Sequence, residues 1–457
     1  MPLLKAVTLT AMLYWLALQT AFAADADATV ADEEQTESAL QQSIRLQEQI
    51  GMLNEQVANL ESEYGPYDFR LLEPLQALTS IQIEIGDYQQ ADSIMERRLQ
   101  LIRTSEGLAS QQQLPLIEEL IANDIRQSDW ESVTDRFEFI QSLHSQDSNV
   151  DSDTLLRAKK NLALWNFSKV YLMDPARRIR AFREAREVIR ENSSLAEDLF
   201  GEDSMELVTW LYQHAVLQYQ VVAVLLANDE LGVYARDEIL YLEGRSAESY
   251  LREGLNLVKR IRELAEANGD LEAEAMAMTY EADFQMLLRF GTAARLYRQA
   301  MDKFTEAGLA REQVDKFFQR PVSLPVAKFY SRLADAVGSQ DAVGFQYRST
   351  PDGEPAMHLG TFVAWSESLP FAQRPDLPAA AASLEASLDY YQLDMTFTLN
   401  SRGTTRNPKI TESSTDRARV RNDARDALRD MQFRPFFEGG RWRRTENLSI
   451  RYLVLPD

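Results

Sequence analysis

Residues 71–102 read LLEPLQALTSIQIEIGDYQQADSIMERRLQLI, and this stretch decides the fold class. Gly-Asp-Tyr at 86–88 separates two runs in which apolar residues recur every three or four positions, a spacing that predicts a helix on each side of the break. Ala91 is small enough to let the two helices approach closely, and Met95 and Leu99 continue the apolar face of the second helix. The stretch therefore predicts a pair of packed antiparallel helices.

The same layout recurs further along the chain. Residues 114–143 read LPLIEELIANDIRQSDWESVTDRFEFIQSL, with a break at 129–130, and residues 287–301 read LLRFGTAARLYRQAM, with Ala293, Tyr297 and Ala300 on the face that follows the break. A weaker copy is MDPARRIRAFREAREVI. Each helix pair leaves an apolar face open until a neighbour stacks on it, so the repetition predicts a mainly α chain of stacked helix pairs.

These stretches resemble the tetratricopeptide repeat (TPR) family in its longer-period form. The resemblance implies a TPR-like α-solenoid of helical pairs over residues 40–318, with an insertion around Asn228 to Arg245. It also implies a concave groove that binds peptides. The candidate groove residues are the first-helix positions Glu73, Gln76, Ser80 and Glu118; the alternative is that they are ordinary exposed polar side chains of helices.

The helix before the first repeat carries an apolar stripe at alternating steps of four and three, formed by Leu46, Ile50, Leu53, Val57, Leu60 and Tyr64. Such a stripe suits a short coiled-coil dimerisation helix. The alternative is an amphipathic helix that packs on the next repeat, and Gly51 within the run favours it.

The end of the chain follows another pattern. LDMTFTL at 393–399 alternates apolar and other residues, NSRG supplies a hairpin turn, and TTRNPKI leads a second strand. A helix capped within 413–415 and ending before Pro435 follows, and after Gly439-Gly440 comes the last strand, ENLSIRYLVL. The order is strand, strand, helix, strand.

This order, with Gly403, Phe433, Pro435, Gly439 and Gly440, resembles the C-terminal domain of TonB, the energy transducer of Gram-negative outer-membrane transport. The resemblance implies a small α+β (β-β-α-β) TonB-C-like domain over residues 391–457. It also implies binding of peptide segments from outer-membrane receptors by strand addition, without chemistry. Prolines cluster over 319–390, which predicts a connection that contains a β-hairpin around TPDGEP.

The N-terminus carries export features. Residues 1–23 combine one early lysine, a short apolar run and Ala21-Phe22-Ala23, which predicts a signal peptide cleaved after Ala23 and a protein of the periplasm; the alternative is an uncleaved N-terminal anchor. Residues 24–39 are acidic and rich in small residues, which predicts a disordered spacer. No stable membrane span is expected once the signal is removed, and the chain contains no cysteine for disulfides or lipidation.

The charge is strongly negative and uneven. The formal net charge of −23 argues against a nucleic-acid partner. From Ser401 onward, however, the sequence contains 13 Lys and Arg residues but only 8 Asp and Glu residues. In this basic tail Arg417, Arg421, Arg425 and Arg429 recur at steps of four and form a candidate anion-binding stripe. The alternative is a merely solvated face neutralised by Asp416, Asp423, Asp426 and Asp430.

Catalytic signals are weak. The histidines are scattered at 144, 214 and 358, with His144 predicted in a loop and His214 facing a neighbouring helix, and no nucleophile, metal or phosphate-binding motif is present. No catalytic residue, metal or cofactor is therefore expected.

The interpretation is a periplasmic adaptor or scaffold, not an enzyme, with protein or peptide partners. The alternatives are an accessory TonB-like transducer component that engages an outer-membrane β-barrel receptor and, third, an enzyme of unrecognised type. The oligomeric state is left open.

Overall fold

The structure is a computed structural model, and it describes residues 41–42, 44–146, 149–172, 175–226, 247–320, 322–326, 328–341, 347–349, 355–358, 391–438 and 441–454. The described chain is mostly helical, with a small sheet region at its C-terminal end. It divides into two compact units, residues 1–116 and 117–457.

The first unit is helical. Its helices are α1 (44–64), α2 (Leu72–Glu84), α3 (Tyr88–Glu106) and the first turn of α4 (Leu114–Arg126), with 3-10 turns at Phe69–Leu71 and Gln111–Gln113. The apolar stripe of α1 lies against α2 and α3, since Val57 is buried in one cluster with Leu75 and Ile94. The stripe thus packs within its own chain, as the second alternative for this helix predicts.

The second unit contains the remaining helices. They are α5 (Trp130–Gln146), α6 (Ser152–Leu172), α7 (Pro175–Phe200), α8 (Leu207–Leu226), α9 (Ala247–Ala267), α10 (Leu271–Leu287), α11 (Ala293–Glu306), α12 (Arg311–Phe318), α13 (Leu333–Asp341) and α14 (Ala418–Asp430). Consecutive helices pack as neighbours from α5 through α8, where α5 contacts α6, α6 contacts α7 and α7 contacts α8. The same holds from α8 through α11.

Three turns between helices share one backbone design. A residue in the left-handed region ends the helix, and the N–H of the following aspartate donates to the carbonyl five residues back, the arrangement of a Schellman motif. The aspartate carboxylate then accepts from the backbone N–H three residues ahead and caps the next helix. The turns are Gly86-Asp87, Ser128-Asp129 and Gly269-Asp270, with N···O distances of 2.9, 2.9 and 3.0 Å for the Schellman bonds.

Burial along the helices follows the sequence pattern closely. Ala91, Ala293, Tyr297 and Ala300 are fully buried, whereas Phe290 is only half-buried. The loop position predicted for His144 is wrong. This residue lies in the last turn of α5 and is buried, because the helix continues to Gln146.

The C-terminal region builds a five-stranded sheet in the order β2-β3-β9-β4-β5. Its strands are β2 (Tyr347–Ser349), β3 (Pro355–His358), β4 (Tyr391–Leu399), β5 (Thr405–Ser413) and β9 (Thr445–Val454). Strand β4 pairs antiparallel with β5 and with the central strand β9. Strand β3 runs parallel to β9, and β2 and β3 form the antiparallel pair expected around TPDGEP. Two further ribbons consist of short strands. In one, β1 (Val322–Ser323) pairs with β6 (Phe433–Arg434), and in the other, β7 (Phe437–Glu438) pairs with β8 (Arg441–Trp442).

Helix α14 covers one face of this sheet. Val420, Ala424 and Leu428 share a buried cluster with Met395 and Phe397 of β4. The main elements therefore follow the predicted order of strand, strand, helix and strand.

The start of α14 differs from the sequence expectation. The helix begins at Ala418, and its N-cap residue Arg417 makes no side-chain capping bond. Of the hydroxyl groups expected to cap it, Ser414 Oγ accepts from Gln392 N at the sheet edge at 2.8 Å, whereas Ser413 Oγ donates to Thr415 O at 2.7 Å and Thr415 Oγ1 accepts from Arg417 N at 3.2 Å. Only Ser414 therefore bonds to the sheet, and the other two hydroxyl groups bond within the turn before the helix.

Several sequence predictions lie outside the described residues. They are the signal peptide (1–23), the acidic spacer (24–39), the insertion around 228–245, the hairpin tip at 350–354 and Gly439-Gly440. Within the ranges that the structure describes, no helix combines the length and apolar character needed to cross a bilayer.

Gly403 in the β4–β5 turn allows a close backbone approach. Its φ is 70°, its carbonyl accepts from Phe433 N at 2.9 Å, and a Cβ at this position would lie 1.9 Å from Phe433 O. We expect Gly403→Ala to destabilise the protein by more than about 3 kcal/mol, because a left-handed strain adds to a backbone clash. Urea unfolding of the full chain measures this effect.

Gly269→Ala is the matched control for this substitution. Gly269 also has a positive φ, 68°, but a Cβ there meets nothing within 4 Å. We expect a loss of only about 1–2 kcal/mol. Equal effects of the two substitutions would show that the contact between Gly403 and Phe433 is unimportant.

Candidate functional site

The segment Phe433-Arg434-Pro435 joins the sheet module to the helices of the second unit. Its strand β6 pairs antiparallel with β1, which places Val322 opposite Arg434 and Ser323 opposite Phe433. Neighbouring strand residues point to opposite sides. Phe433 accordingly enters the core between the sheet and α14, while Arg434 contacts the helices.

Arg434 is a fully buried cation. Its side chain is 1% exposed, as is that of its partner Asp283 on α10. The pair is bidentate, with Nε donating to Asp283 Oδ1 at 3.0 Å and Nη2 donating to Oδ2 at 2.6 Å. Such a fork gives both charges fixed partners, which a buried ion pair requires.

Aromatic side chains complete the surroundings of this ion pair. Tyr297 of α11 donates its hydroxyl to Asp283 Oδ1 at 2.7 Å. The guanidinium carbon of Arg434 lies 4.8 Å from the ring centre of Phe317 and 5.8 Å from that of Tyr280. Ring faces attract a cation, and more strongly when water is excluded. We call Arg434, Asp283, Tyr280, Tyr297 and Phe317 the arginine clamp.

Burial and the neighbouring carboxylate set the protonation states of Arg434 and Tyr297. Burial by itself would lower the pKa of Arg434, but the Asp283 carboxylate outweighs burial, and the net shift is upward. Burial, and then the same carboxylate, raise the pKa of the Tyr297 hydroxyl. Arg434 therefore stays protonated, and Tyr297 stays a neutral donor.

A second segment is held on the same helices. Tyr212 of α8 donates its hydroxyl to Val326 O at 2.6 Å, and Tyr280 of α10 donates to Lys328 O at 2.9 Å. The Phe329 ring lies 4.9 Å from that of Tyr280. Residues 322–326 and 328–330 thus lie over the faces of α8 and α10 that bear these tyrosines, and Arg434 of β6 contacts α10 beside them.

The sequence pattern pointed to Phe433 and Pro435, which flank Arg434, but not to the charged pair of Arg434 and Asp283. Phe433 and Pro435 are buried as structural motif residues, whereas the arginine between them carried no assigned role. A signal was available in the sequence of α10, where Glu274, Glu281 and Asp283 stand among mostly apolar residues, and the structure shows that all three are buried. Buried carboxylates require partners, and a partner for Asp283 could have been sought.

The candidate groove residues lie in two different units. Glu73, Gln76 and Ser80 are exposed on α2 in the first unit. Glu118 lies on α4 in the second unit and is half-buried, and burial raises the pKa of its carboxyl group. A role of these residues in partner binding stays a prediction.

Two members of the arginine stripe pair with aspartates, as the solvated-face alternative predicts. Arg421 Nη1 lies 3.8 Å from Asp416 Oδ1, and Arg429 forms an ion pair with Asp426. Both pairs are accessible to solvent, so they neutralise charge without adding much stability.

The other two arginines of the stripe, Arg417 and Arg425, contact uncharged side chains. Arg417 precedes the helix, and its guanidinium carbon lies 5.5 Å from the Tyr391 ring centre. Arg425 Nη1 donates to Asn422 Oδ1 at 3.0 Å. The stripe therefore combines paired and weakly compensated guanidinium groups along one edge of α14.

The histidines form no metal site in the described part of the chain, where no group of three or more His, Asp or Glu side chains is arranged around a common point. His214 faces α7, as predicted: its Nδ1 lies 2.6 Å from Ser193 Oγ. Its Nε2 lies 2.8 Å from Gln218 Nε2. Burial lowers the pKa of His214, so the neutral ring is favoured.

Removal of one clamp charge has a large expected cost. We expect Asp283→Ala to destabilise the second unit by about 3–5 kcal/mol, because it leaves Arg434 charged and buried without a carboxylate. Asp283→Leu combined with Arg434→Met should recover much of this loss, since neither charge then needs a partner. Chemical denaturation of the single variants Asp283→Leu and Arg434→Met and of the double variant measures the coupling.

The exposed pair Arg311–Asp315, with an N···O distance of 3.0 Å, is the control for the clamp. We expect Asp315→Ala to cost at most about 1 kcal/mol. A similar cost for Asp283→Ala would contradict a structural role for the clamp.

The lowered pKa of His214 predicts a stability loss on the acid side. An ordinary histidine titrates near pH 6.5. Below that pH the unfolded chain takes up the proton more readily than the folded chain. The free energy of unfolding therefore decreases as the pH is lowered, until the pH passes the folded-state pKa. Stability measured between about pH 7.5 and 5.5 should fall less in His214→Gln than in the wild type. Arg298→Gln should keep the wild-type profile, and identical profiles in all three proteins would contradict the assignment.

Comparisons with known proteins leave the family open. No family profile matches the sequence, and no curated protein matches it. Among solved structures, the chain is similar to one described as BtubC (BKLC) from P. vanneervenii, with 15% sequence identity, 57% of this chain and 89% of that chain covered, and a TM-score of 0.25. A similarity at that score carries no argument about function.

Proposed function

We propose that this protein is a periplasmic adaptor that binds other proteins and does no chemistry. It combines TPR-like helical pairs with a TonB-C-like module. The observation that carries the proposal is the arginine clamp. A bidentate buried ion pair between β6 and α10 holds the sheet module on the helices. A fixed pair of binding modules is what an adaptor needs to present two surfaces in constant geometry.

Two structural features support the choice of modules. The same turn of a left-handed residue and a capping aspartate recurs at three helix junctions, which is the local regularity expected of repeats. The contact between Gly403 and Phe433 ties the first hairpin to the segment after α14. These are motif positions through which the C-terminal region resembles the TonB domain.

The α14 edge is the surface we assign to a partner. The faces of α8 and α10 beside the clamp contact residues 322–326, residues 328–330 and Arg434 of β6, so they are occupied within the chain. Arg417, which precedes α14, and Arg429 in its last turn are exposed, and Arg421 and Arg425 are half-exposed. Guanidinium groups suit carboxylates, and the partner segment is therefore acidic.

Charge reversal tests this assignment. We expect Arg421→Glu combined with Arg425→Glu to weaken capture of partners from a periplasmic extract and to reduce its salt dependence, because an attractive surface becomes repulsive. The measurement is the amount of co-purified protein across a salt series. The full chain must be used, since removing residues 380–457 would take Arg434 and Phe437 out of the helical core.

Arg295→Glu combined with Arg298→Glu is the matched control on α11, away from the sheet module. Both side chains are exposed, and each double variant changes the net charge by the same amount. The control should leave capture close to the wild type. An equal loss of partner capture in the two double variants would show that the effect comes from overall charge alone. No loss of capture in either would reject the α14 edge as a binding surface.

A further inference from the structure

Four large apolar side chains are exposed at two turns of the first unit. Tyr64, Tyr67 and Phe69 belong to the connection between α1 and α2 and are 45%, 63% and 52% exposed. Leu108 belongs to the connection between α3 and α4 and is 75% exposed. A single exposed apolar side chain is ordinary, but several large ones together mark an interaction surface.

The two turns lie at the same end of the first unit. Leu71, just before α2, and Leu101, near the end of α3, are buried in one cluster, and the 3-10 turn Phe69–Leu71 contacts α3. The start of α2 therefore lies beside the end of α3, which brings both turns to one end of the helices. We call Tyr64, Tyr67, Phe69 and Leu108 the apolar tip.

Hydrogen bonds hold the first turn in shape. Asp68 N donates to Gly65 O at 3.4 Å, and Leu71 N donates to Asp68 O at 3.1 Å. The Asp68 carboxylate accepts from Arg70 N at 2.9 Å and lies 3.9 Å from Arg70 Nε. The guanidinium carbon of Arg70 lies 3.8 Å from the ring centre of Tyr64. The two charges of this turn therefore pair with each other beside an aromatic ring.

A buried glutamine holds the second turn. The Nε2 of Gln113 donates to Leu108 O at 2.9 Å and to Ser110 O at 3.0 Å, and its Oε1 accepts from Arg103 Nε at 2.8 Å. Ser110 N donates to Gly107 O at 3.3 Å. The carbonyl groups on both sides of Leu108 thus have partners within the protein, and none of the four residues in this turn is charged.

These contacts suit a lipid surface. Backbone polar groups that leave water cost free energy unless they already have partners, and both turns supply partners for carbonyl groups at the tip. Tyrosine favours the boundary between lipid headgroups and acyl chains, where its ring leaves water and its hydroxyl group stays hydrated. The tip therefore has the composition and the internal hydrogen bonding of a segment that enters this boundary.

Charge selects the kind of lipid. Glu63, Glu73 and Glu106 are exposed in and beside the two turns, whereas the one arginine of the first turn, Arg70, pairs with Asp68. An anionic lipid surface would repel these carboxylates. A zwitterionic surface, which has no net charge, is the better match.

We propose that the first unit attaches to a zwitterionic phospholipid surface through the apolar tip. Tyr67, Phe69 and Leu108 enter the boundary between headgroups and acyl chains, and the helices stay outside the bilayer. The attachment is independent of the partner surface on α14, because the tip belongs to the first unit.

Sedimentation of the full chain with phosphatidylcholine vesicles tests the attachment. We expect the wild type to sediment with the vesicles, and Tyr67→Ser combined with Leu108→Ser to lower the bound fraction at least about fivefold, because binding scales with the apolar area that leaves water. Vesicles that also contain phosphatidylglycerol should bind less of the wild type.

Ile85→Ser is the matched control. Ile85 is also an exposed apolar residue, at 41%, but it follows the last residue of α2 and so lies about 20 Å from the tip, the length of that helix. This substitution should leave sedimentation unchanged. Thermal unfolding establishes that each variant is folded.

A fluorescent probe locates the contact. The chain contains no cysteine, so Leu108→Cys gives one site for an environment-sensitive fluorophore, and Ile85→Cys gives the corresponding control. We expect phosphatidylcholine vesicles to shift the emission of the Leu108→Cys probe to shorter wavelength, because the probe leaves water, and to leave the Ile85→Cys probe unchanged.

Failure of the wild type to sediment with phosphatidylcholine vesicles would overturn the proposal, as would stronger binding to the anionic vesicles or equal shifts of the two probes. A shift of the Leu108→Cys probe that grows with protein concentration in the absence of vesicles would overturn it in favour of a second copy of the chain. The vesicle measurements use no protein partner, so their failure leaves the α14 assignment standing, and failure of partner capture leaves the lipid attachment standing.

Discussion

The second unit depends on a buried ion pair between residues 151 positions apart in the sequence, Arg434 and Asp283. Two charges without solvent are tolerated only when geometry and further hydrogen bonds compensate their lost hydration. The bidentate fork and the Tyr297 hydroxyl meet that requirement. The position of the sheet module on the helices is therefore specified by chemistry as well as by shape.

This constraint links the folding of the two regions. Asp283 lies in a helix whose residues 273–284 are all buried, so without Arg434 it would be an unpaired interior carboxylate. Phe437, Trp442 and Phe329 pack on the same helical core. The core of the second unit therefore includes side chains from beyond residue 320, and long-range closure of this kind raises the entropic cost of folding.

The same arrangement distributes the surfaces. The faces of α8 and α10 that bear Tyr212 and Tyr280 are covered by the protein's own chain. The outer edge of α14 keeps its arginines in contact with solvent. Positive charge thus remains on a surface that the protein's internal packing has not used.

The sequence by itself determined the local elements. Apolar residues at steps of three and four specified the helices around Ala91 and Ala293, and alternation in 393–399 specified β4, because each periodicity reflects the geometry of one element. The Gly-Asp break at 86–87 was recognisable because a left-handed residue and a capping carboxylate act within a few residues.

Only the tertiary structure decided how Arg434 meets Asp283 and why Ser414 bonds to the sheet edge and not to the cap of α14. These outcomes depend on side chains far apart in sequence, and no local spacing encodes such a distance. A buried polar group takes whichever partner the assembled fold brings within hydrogen-bond reach.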